Sequence, residues 1–209
     1  MYIPNADRVE DRQQLLAFMR AHSFATVISH VEEALFASHV PLTITKTGTE
    51  TGAEIVLTGH LAKANRQWQE LATQTEVLVI FQGPHAYISP RHYAKWESVP
   101  TWNYIAVHAY GSAQLVTDEA GKLAALSGLI AATEAGYQQQ WDTLPETFQQ
   151  GLLNGIVAFE IQVQRLEGKY KLSRNRPTGD QERVAAALVH HPDSAAQAVG
   201  STMQRMMQD

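Results

Sequence analysis

Two long stretches of strict alternation constrain this chain more than any other feature. Across residues 104–116 the odd positions Ile105, Val107, Ala109, Ala113 and Leu115 are apolar. Across residues 156–166, Val157, Phe159, Ile161 and Val163 face one way, with Glu160, Gln162 and Gln164 opposite. Successive side chains of a strand point to opposite faces, so a period of two marks a strand covered on one face. Val77-Leu78-Val79-Ile80-Phe81 is apolar at every position and reads as a central strand buried on both faces. Gly83-Pro84 is expected to break it, and Ala86-Tyr87-Ile88 to restart a strand. Further strands are expected at 24–28, 35–45 and 54–58, with polar turn chemistry at 46–52 between the last two.

Helical patterns are inserted among these strands rather than alternating with them. Residues 11–22 carry Leu15, Leu16, Phe18 and Met19 among polar neighbours, with Asp11 in the first turn where the helix dipole favours a negative charge. Other helices are expected over 64–72, over about 118–137, around 145–154, and from 180 onward with an interruption at Pro192. This arrangement predicts a mainly β chain with inserted helices (α+β), built as a small antiparallel barrel and not as a doubly wound sheet. A length of 209 residues suffices for one domain of good size or two small ones. The expected division is a barrel domain over 1–176 and a helical C-terminal extension over 177–209.

Composition removes several chemistries. With no cysteine there are no disulfides, thiolate nucleophiles, cysteine-held zinc sites or iron–sulfur clusters. Sixteen Lys+Arg against twenty-one Asp+Glu give a net charge of −5, so the totals show no dominant basic surface for nucleic acid. No apolar run approaches the roughly 18 residues needed to cross a bilayer, so no membrane partner is expected. Met1-Tyr2-Ile3-Pro4-Asn5 lacks the basic start of a signal peptide, and a cytoplasmic location is expected. None of the nine histidines falls in an HExxH motif, and GxSxG, P-loop and GxGxxG motifs are absent. No residue is nominated as catalytic and none as a metal ligand.

Four segments could bind something. Gly59-His60-Leu61-Ala62-Lys63-Ala64-Asn65 ends a strand and opens a helix, offering backbone donors, Lys63 and Asn65 to a phosphate. A helix cap at Asn65 beside a solvated Lys63 fits the same residues. In Ser38-His39-Val40-Pro41-Leu42, alternation places Phe36, Val40, Leu42 and Ile44 on one face and His39, Pro41 and Thr43 on the other. Pro41 cannot donate to a ladder, so the segment belongs at an edge or bulge. Its backbone could pair with the polar edge of a flat heterocycle, or His39 could simply face solvent. Gly83–Pro90 and Val99–Tyr104 place aromatic, hydroxyl and amide groups beside prolines, able to stack a ring or to pack an interface. Residues 165–176 hold Arg165, Lys169, Lys171, Arg174 and Arg176 against Glu167 alone, a net +4 suited to a phosphate or to a solvated turn.

Taken in order, these segments resemble the PaiB-like family of FMN-binding negative transcriptional regulators. The similarity runs nearly end to end, from Met1-Tyr2-Ile3-Pro4 and Phe24-Ala25-Thr26 through His39-Val40-Pro41-Leu42 and the 59–65 segment with Gln67-Trp68. It is most specific at residues 77–81, 83–90 and Val99-Pro100-Thr101-Trp102-Asn103-Tyr104, and closes with Glu167-Gly168-Lys169 and residues 171–176. The resemblance implies a split β-barrel like that of pyridoxamine 5′-phosphate oxidase, in a homodimer with FMN at the subunit interface. It implies a phosphate end at Lys63, Asn65 and His60, and a ring edge at His39, Val40, Pro41 and Leu42. Thr101 and Trp102 would be further cofactor contacts, and Arg174 or Arg176 would arrive from late in the chain, from the partner subunit. The chain departs from the family pattern at Asp7 and His92, where aromatics are common, and at Lys63, where arginine is usual. Lysine keeps the charge and loses the planar fork.

The function this resemblance implies is an FMN-binding negative transcriptional regulator or flavin-linked sensor, with DNA brought in as a partner by the resemblance alone. Residues 165–209 hold seven basic and five acidic groups, modest for a DNA-binding module. An FMN-dependent oxidoreductase acting on a small molecule, as flavin reductase or oxidase, is the alternative reading, since fold does not fix function. Haem handling on the same barrel, with His39, His60 or His85 as ligand, is a third.

Overall fold

The computed structural model describes residues 1–32, 34–47, 54–73 and 76–208. Among these the strands are β1 (Arg8–Val9), β2 (Phe24–Val31), β3 (Ala34–Pro41), β4 (Thr43–Thr47), β5 (Glu54–Ala62), β6 (Val77–Ile88), β7 (Thr101–Val116) and β8 (Ile156–Lys171). The α-helices are α1 (Arg12–Ala21), α2 (Gln67–Leu71), α3 (Glu119–Thr133), α4 (Tyr137–Thr143), α5 (Glu146–Asn154), α6 (Thr178–Val189) and α7 (Ser194–Gln208). The strand order is β3-β2-β6-β7-β8-β5-β4, with β1 paired to β8. The chain divides into two compact units: Leu16–Phe81 with His108–Leu166, and Met1–Leu15 with Gln82–Val107 and Glu167–Asp209.

The first unit is a barrel by necessity. β3 and β4 stand at opposite ends of the strand order, yet only Leu42 separates them in sequence. Two residue steps reach at most about 7 Å, so the sheet must curl until its ends approach. Alternation then fills the interior: Ala25, Val27, Val40, Leu42, Ile44, Ile55, Leu57, Val79, Phe81, Phe159 and Ile161 are all buried. Each large aliphatic or aromatic side chain among them contributes about 1.5–3 kcal/mol relative to exposure. Two glycines permit the close packing. A Cβ on Gly59 would lie 2.6 Å from Leu42 Cδ2, and one on Gly111 would lie 2.0 Å from the backbone oxygen of Gln162.

The second unit sets α6 and α7 as a helical hairpin. Its core takes Val184, Ala185 and Leu188 from α6 and Ala196, Val199 and Met203 from α7. Pro192 parts the helices, and Asp193 Oδ1 restarts the second by accepting the Ala195 N–H at 2.9 Å. The buried Asp180 carboxylate accepts the Ala94 N–H at 2.9 Å and pairs with Arg183, whose Nε reaches His92 O at 3.0 Å. Asp11 lies just outside α1 and caps it, its Oδ1 accepting the Gln13 N–H at 2.8 Å.

Several element boundaries differ from the sequence expectation. The strand expected over 35–45 is two strands parted at Leu42, the corner of the barrel. β5 runs four residues past the expected end at Thr58, because it pairs with β8 as far as Ala62↔Ile156. The expected break at Gly83-Pro84 does not occur: β6 is continuous, since proline removes a donor while its φ remains compatible with extended backbone. The helix expected over 64–72 shortens to α2, and the one expected over 118–137 ends at Thr133, with Glu134 leaving helical geometry at φ −150°. The α4 segment was not distinguished from its neighbours in the sequence. Most of the polar turn expected at 46–52 lies outside the described residues.

Candidate functional site

In the barrel unit, β3 is an edge strand with little cover on either face. Ala34, Leu35, Ala37 and His39 are exposed, while Val40 turns inward beside the half-buried Pro41. Antiparallel register sets Thr26 opposite His39, and His39 Nδ1 lies 2.9 Å from Thr26 Oγ1. The Phe24 and His39 rings are 6.3 Å apart. An edge strand leaves backbone donors and acceptors unpaired along one side. A flavin's pyrimidine edge, with alternating C=O and N–H groups, needs such a row, and His39–Pro41 is the stretch that would meet it, since the Leu42 N–H is donated to Ser23 O at 2.9 Å and Phe36 O lies 3.4 Å from Gln67 Nε2.

The corner between β5 and α2 carries the rest of this group. Lys63 and Ala64 are exposed, and His60 is half-buried. Burial holds the His60 pKa below its usual value. The backbone donors expected to cradle a phosphate are spent: Lys63 N–H goes to Gly155 O at 2.8 Å, Asn65 N–H to Ala62 O at 2.8 Å, and Gln67 N–H to Asn65 Oδ1 at 3.0 Å. Trp68 Nε1 holds Lys63 O at 2.9 Å, and Asn65 Nδ2 donates to Ser38 Oγ at 2.8 Å. An anion at this corner would therefore meet the exposed Lys63 ammonium and not the Lys63, Asn65 or Gln67 N–H.

In the other unit, Trp102 is exposed at the start of β7, its ring centroid 6.0 Å from both His85 and Tyr87. Lys171 Nζ ties down this point by donating to Thr101 Oγ1 and Trp102 O. Beneath lies a charge cluster centred on the buried Asp7. Burial raises the Asp7 pKa above the usual carboxylate value, and Lys169, Lys171 and Arg174 draw it part of the way back. Burial lowers the Lys171 pKa, with Asp7 opposing and Lys169 adding to the shift. Lys169, also buried, donates to Tyr2 O at 3.1 Å. Arg174 is exposed, whereas the Arg176 guanidinium stands 4.1 Å over the Tyr93 ring.

The structure thus brings His39, Val40, Pro41, Leu42, His60, Lys63 and Asn65 into one unit and Thr101, Trp102, Arg174 and Arg176 into the other. The +4 run does not act as one patch, because Arg165 sits with Tyr110 and Glu76 in the barrel unit and Lys169 and Lys171 surround Asp7. Asp7, Ser38 and Gln67 escaped the sequence reading as site components. For Asp7 the signal was present, as the departure from the family aromatic at that position. An acid there balances lysines that would otherwise be buried together without a counter-charge.

The curled antiparallel sheet with helices inserted between its strands is a split-barrel fold. Among solved structures, the FAD and heme binding protein of Mycobacterium smegmatis superposes with a TM-score of 0.61 at 16% identity, covering 86% of this chain and 80% of the other. The flavocytochrome Anf3 of Azotobacter vinelandii superposes with a TM-score of 0.58 at 16% identity, covering 78% and 68%. In sequence, the chain is 35% identical over 207 residues to Protease synthase and sporulation protein PAI 2 of Bacillus subtilis, covering 98% of this chain and 97% of the relative. Residues 1–165 match the family described as "Putative FMN-binding domain". The chain belongs to that family.

Proposed function

We propose that this protein binds FMN and acts in the cytoplasm as a negative transcriptional regulator or flavin-linked sensor. The observation that carries the flavin part is the uncovered edge of β3 beside the exposed Lys63, which offers a heterocycle edge and an anion their respective partners. Val40, Pro41 and Leu42 would line the ring edge with His39, and His60 would flank the phosphate end. Bound flavin would supply electron-carrying chemistry that the side chains of a cysteine-free chain lack. The regulatory part is supported by near full-length similarity to a relative named for protease synthesis and sporulation, a name describing cell physiology and no substrate.

The functional form in this reading is a homodimer. Phe24, Ile28, Leu35, Ala37, Leu78 and Ile80 share the outer face of the β3-β2-β6 sheet by register. Phe24 is 68% exposed and Leu35 73%, an apolar surface of the kind a subunit contact covers. Thr101 and Trp102 would be further flavin contacts, and Arg174, exposed where Arg176 is stacked on Tyr93, would reach the flavin from the partner copy.

Purified protein should absorb in the flavin bands and release FMN on denaturation. Protein that stays colourless after incubation with excess FMN overturns the cofactor assignment. A sequence-selective gel shift on its own promoter region, responsive to FMN, supports direct repression. Steady oxidation of NAD(P)H by the loaded protein without any such shift replaces the regulator with an FMN-dependent oxidoreductase.

A further inference from the structure

Ser38, Asn65 and Gln67 form a continuous polar brace inside the barrel unit. Asn65 uses both ends of its amide: Nδ2 donates to Ser38 Oγ on β3 at 2.8 Å, and Oδ1 accepts the Gln67 N–H at 3.0 Å. Gln67 is wholly buried, and the two hydrogens of its Nε2 are shared among Val27 O at 3.1 Å, Ser29 Oγ at 3.0 Å and Phe36 O at 3.4 Å. The brace therefore grips both strands of the β2–β3 hairpin and the turn that carries Lys63. Trp68, next in sequence, fixes the Lys63 carbonyl. Ser38 lies immediately before His39, on the opposite face of the strand.

We propose that Ser38, Asn65 and Gln67 are positioning residues that fix Lys63 relative to the His39 edge and thereby govern flavin affinity without touching the flavin. This rests on the flavin reading of those two segments. It reassigns Asn65, whose amide is already committed at both ends, from phosphate contact to support. A binding site whose supporting hydrogen bonds are loosened loses affinity through the cost of ordering it at binding.

The test is a double-mutant cycle on the full chain, read by FMN fluorescence titration. Ser38→Ala should weaken FMN binding by about fivefold, the equivalent of one lost hydrogen bond, and Asn65→Ala, which also removes the acceptor of the Gln67 N–H, by more than that. The double variant should be no weaker than Asn65→Ala, because both remove the same link. Wild-type affinity in Ser38→Ala beside a large loss in Asn65→Ala would make Asn65 a direct contact and overturn the proposal, as would full additivity. Amide hydrogen exchange in the flavin-free protein supplies an independent arm. Ser38→Ala should speed exchange at Gln67 N–H, and unchanged exchange there overturns the brace itself. Wild-type protein that fails to take up FMN overturns the flavin reading and the flavin half of this proposal, while exchange still decides the brace.

Discussion

Lys63 is exposed at a corner where the backbone donors of Lys63, Asn65 and Gln67 are all spent, so in the proposed site its ammonium is the group assigned to the phosphate. Lys63→Ala should weaken FMN binding roughly tenfold or more, as loss of a charge-assisted bond implies. Lys122 on α3, at 3.5 Å from Leu153 O, is the control, and Lys122→Ala should leave affinity unchanged. Equal affinities of the two variants in fluorescence titration would remove Lys63 from the site. Histidine burial gives a second prediction. His22, His60 and His92 all have pKa values below the usual 6.5, chiefly because burial disfavours the charged ring. The folded state then binds protons less readily than the unfolded chain, so this stability is present above pH 6.5 and is lost as pH falls below it. Tm should drop between pH 7.5 and pH 5.5, and His60→Gln should drop less over the same interval. An identical pH dependence in His60→Gln would show that burial of this ring does not drive the loss.

Among the elements, β7 and β8 were the most legible in the sequence, because alternation reports which face is covered regardless of what covers it. Their pairing depends on a glycine that alternation does not require. A Cβ at Gly111 would collide with the backbone of the neighbouring strand, which cannot rotate away as a side chain can. Gly111→Ala should cost about 1–3 kcal/mol by overpacking, read as a lower denaturation midpoint. Gly151→Ala in α5, where no atom lies within 4 Å of the new Cβ, should be neutral or stabilising by up to about 1 kcal/mol. Destabilisation of both to the same degree would argue against a steric cause. The boundaries at Leu42 and Ala62 and the continuity of β6 through Gly83-Pro84 were not legible, because partner strands and the barrel corner set them, and local propensity does not contain that information.

At the scale of the molecule, Val77-Leu78-Val79-Ile80-Phe81 poses a question that a single chain does not answer. Val77, Val79 and Phe81 are buried, yet Leu78 and Ile80, expected to be covered as well, are only half-buried. Together with Phe24 and Leu35 they form the outer apolar face that a second copy would cover in the proposed homodimer. Leu35→Glu should convert a dimer to a monomer in sedimentation or light scattering, since a desolvated carboxylate at an apolar contact costs several kcal/mol. A wild-type protein that sediments as a monomer at micromolar concentration would remove that assignment.

The sequence by itself determined the class of fold and the family. Period-two patterning sets the covered face of each strand, and a chain without cysteine confines the chemistry its own side chains can perform. Only the tertiary structure decided which groups remain available. It directed Lys169 and Lys171 toward Asp7, stacked Arg176 on Tyr93, and committed Asn65 to Ser38 and Gln67, leaving Lys63, His39, Trp102 and Arg174 exposed. A run of charges or polar groups states what a segment carries. Which of those groups are satisfied internally depends on partners tens of residues away, and folding alone brings those within hydrogen-bonding distance.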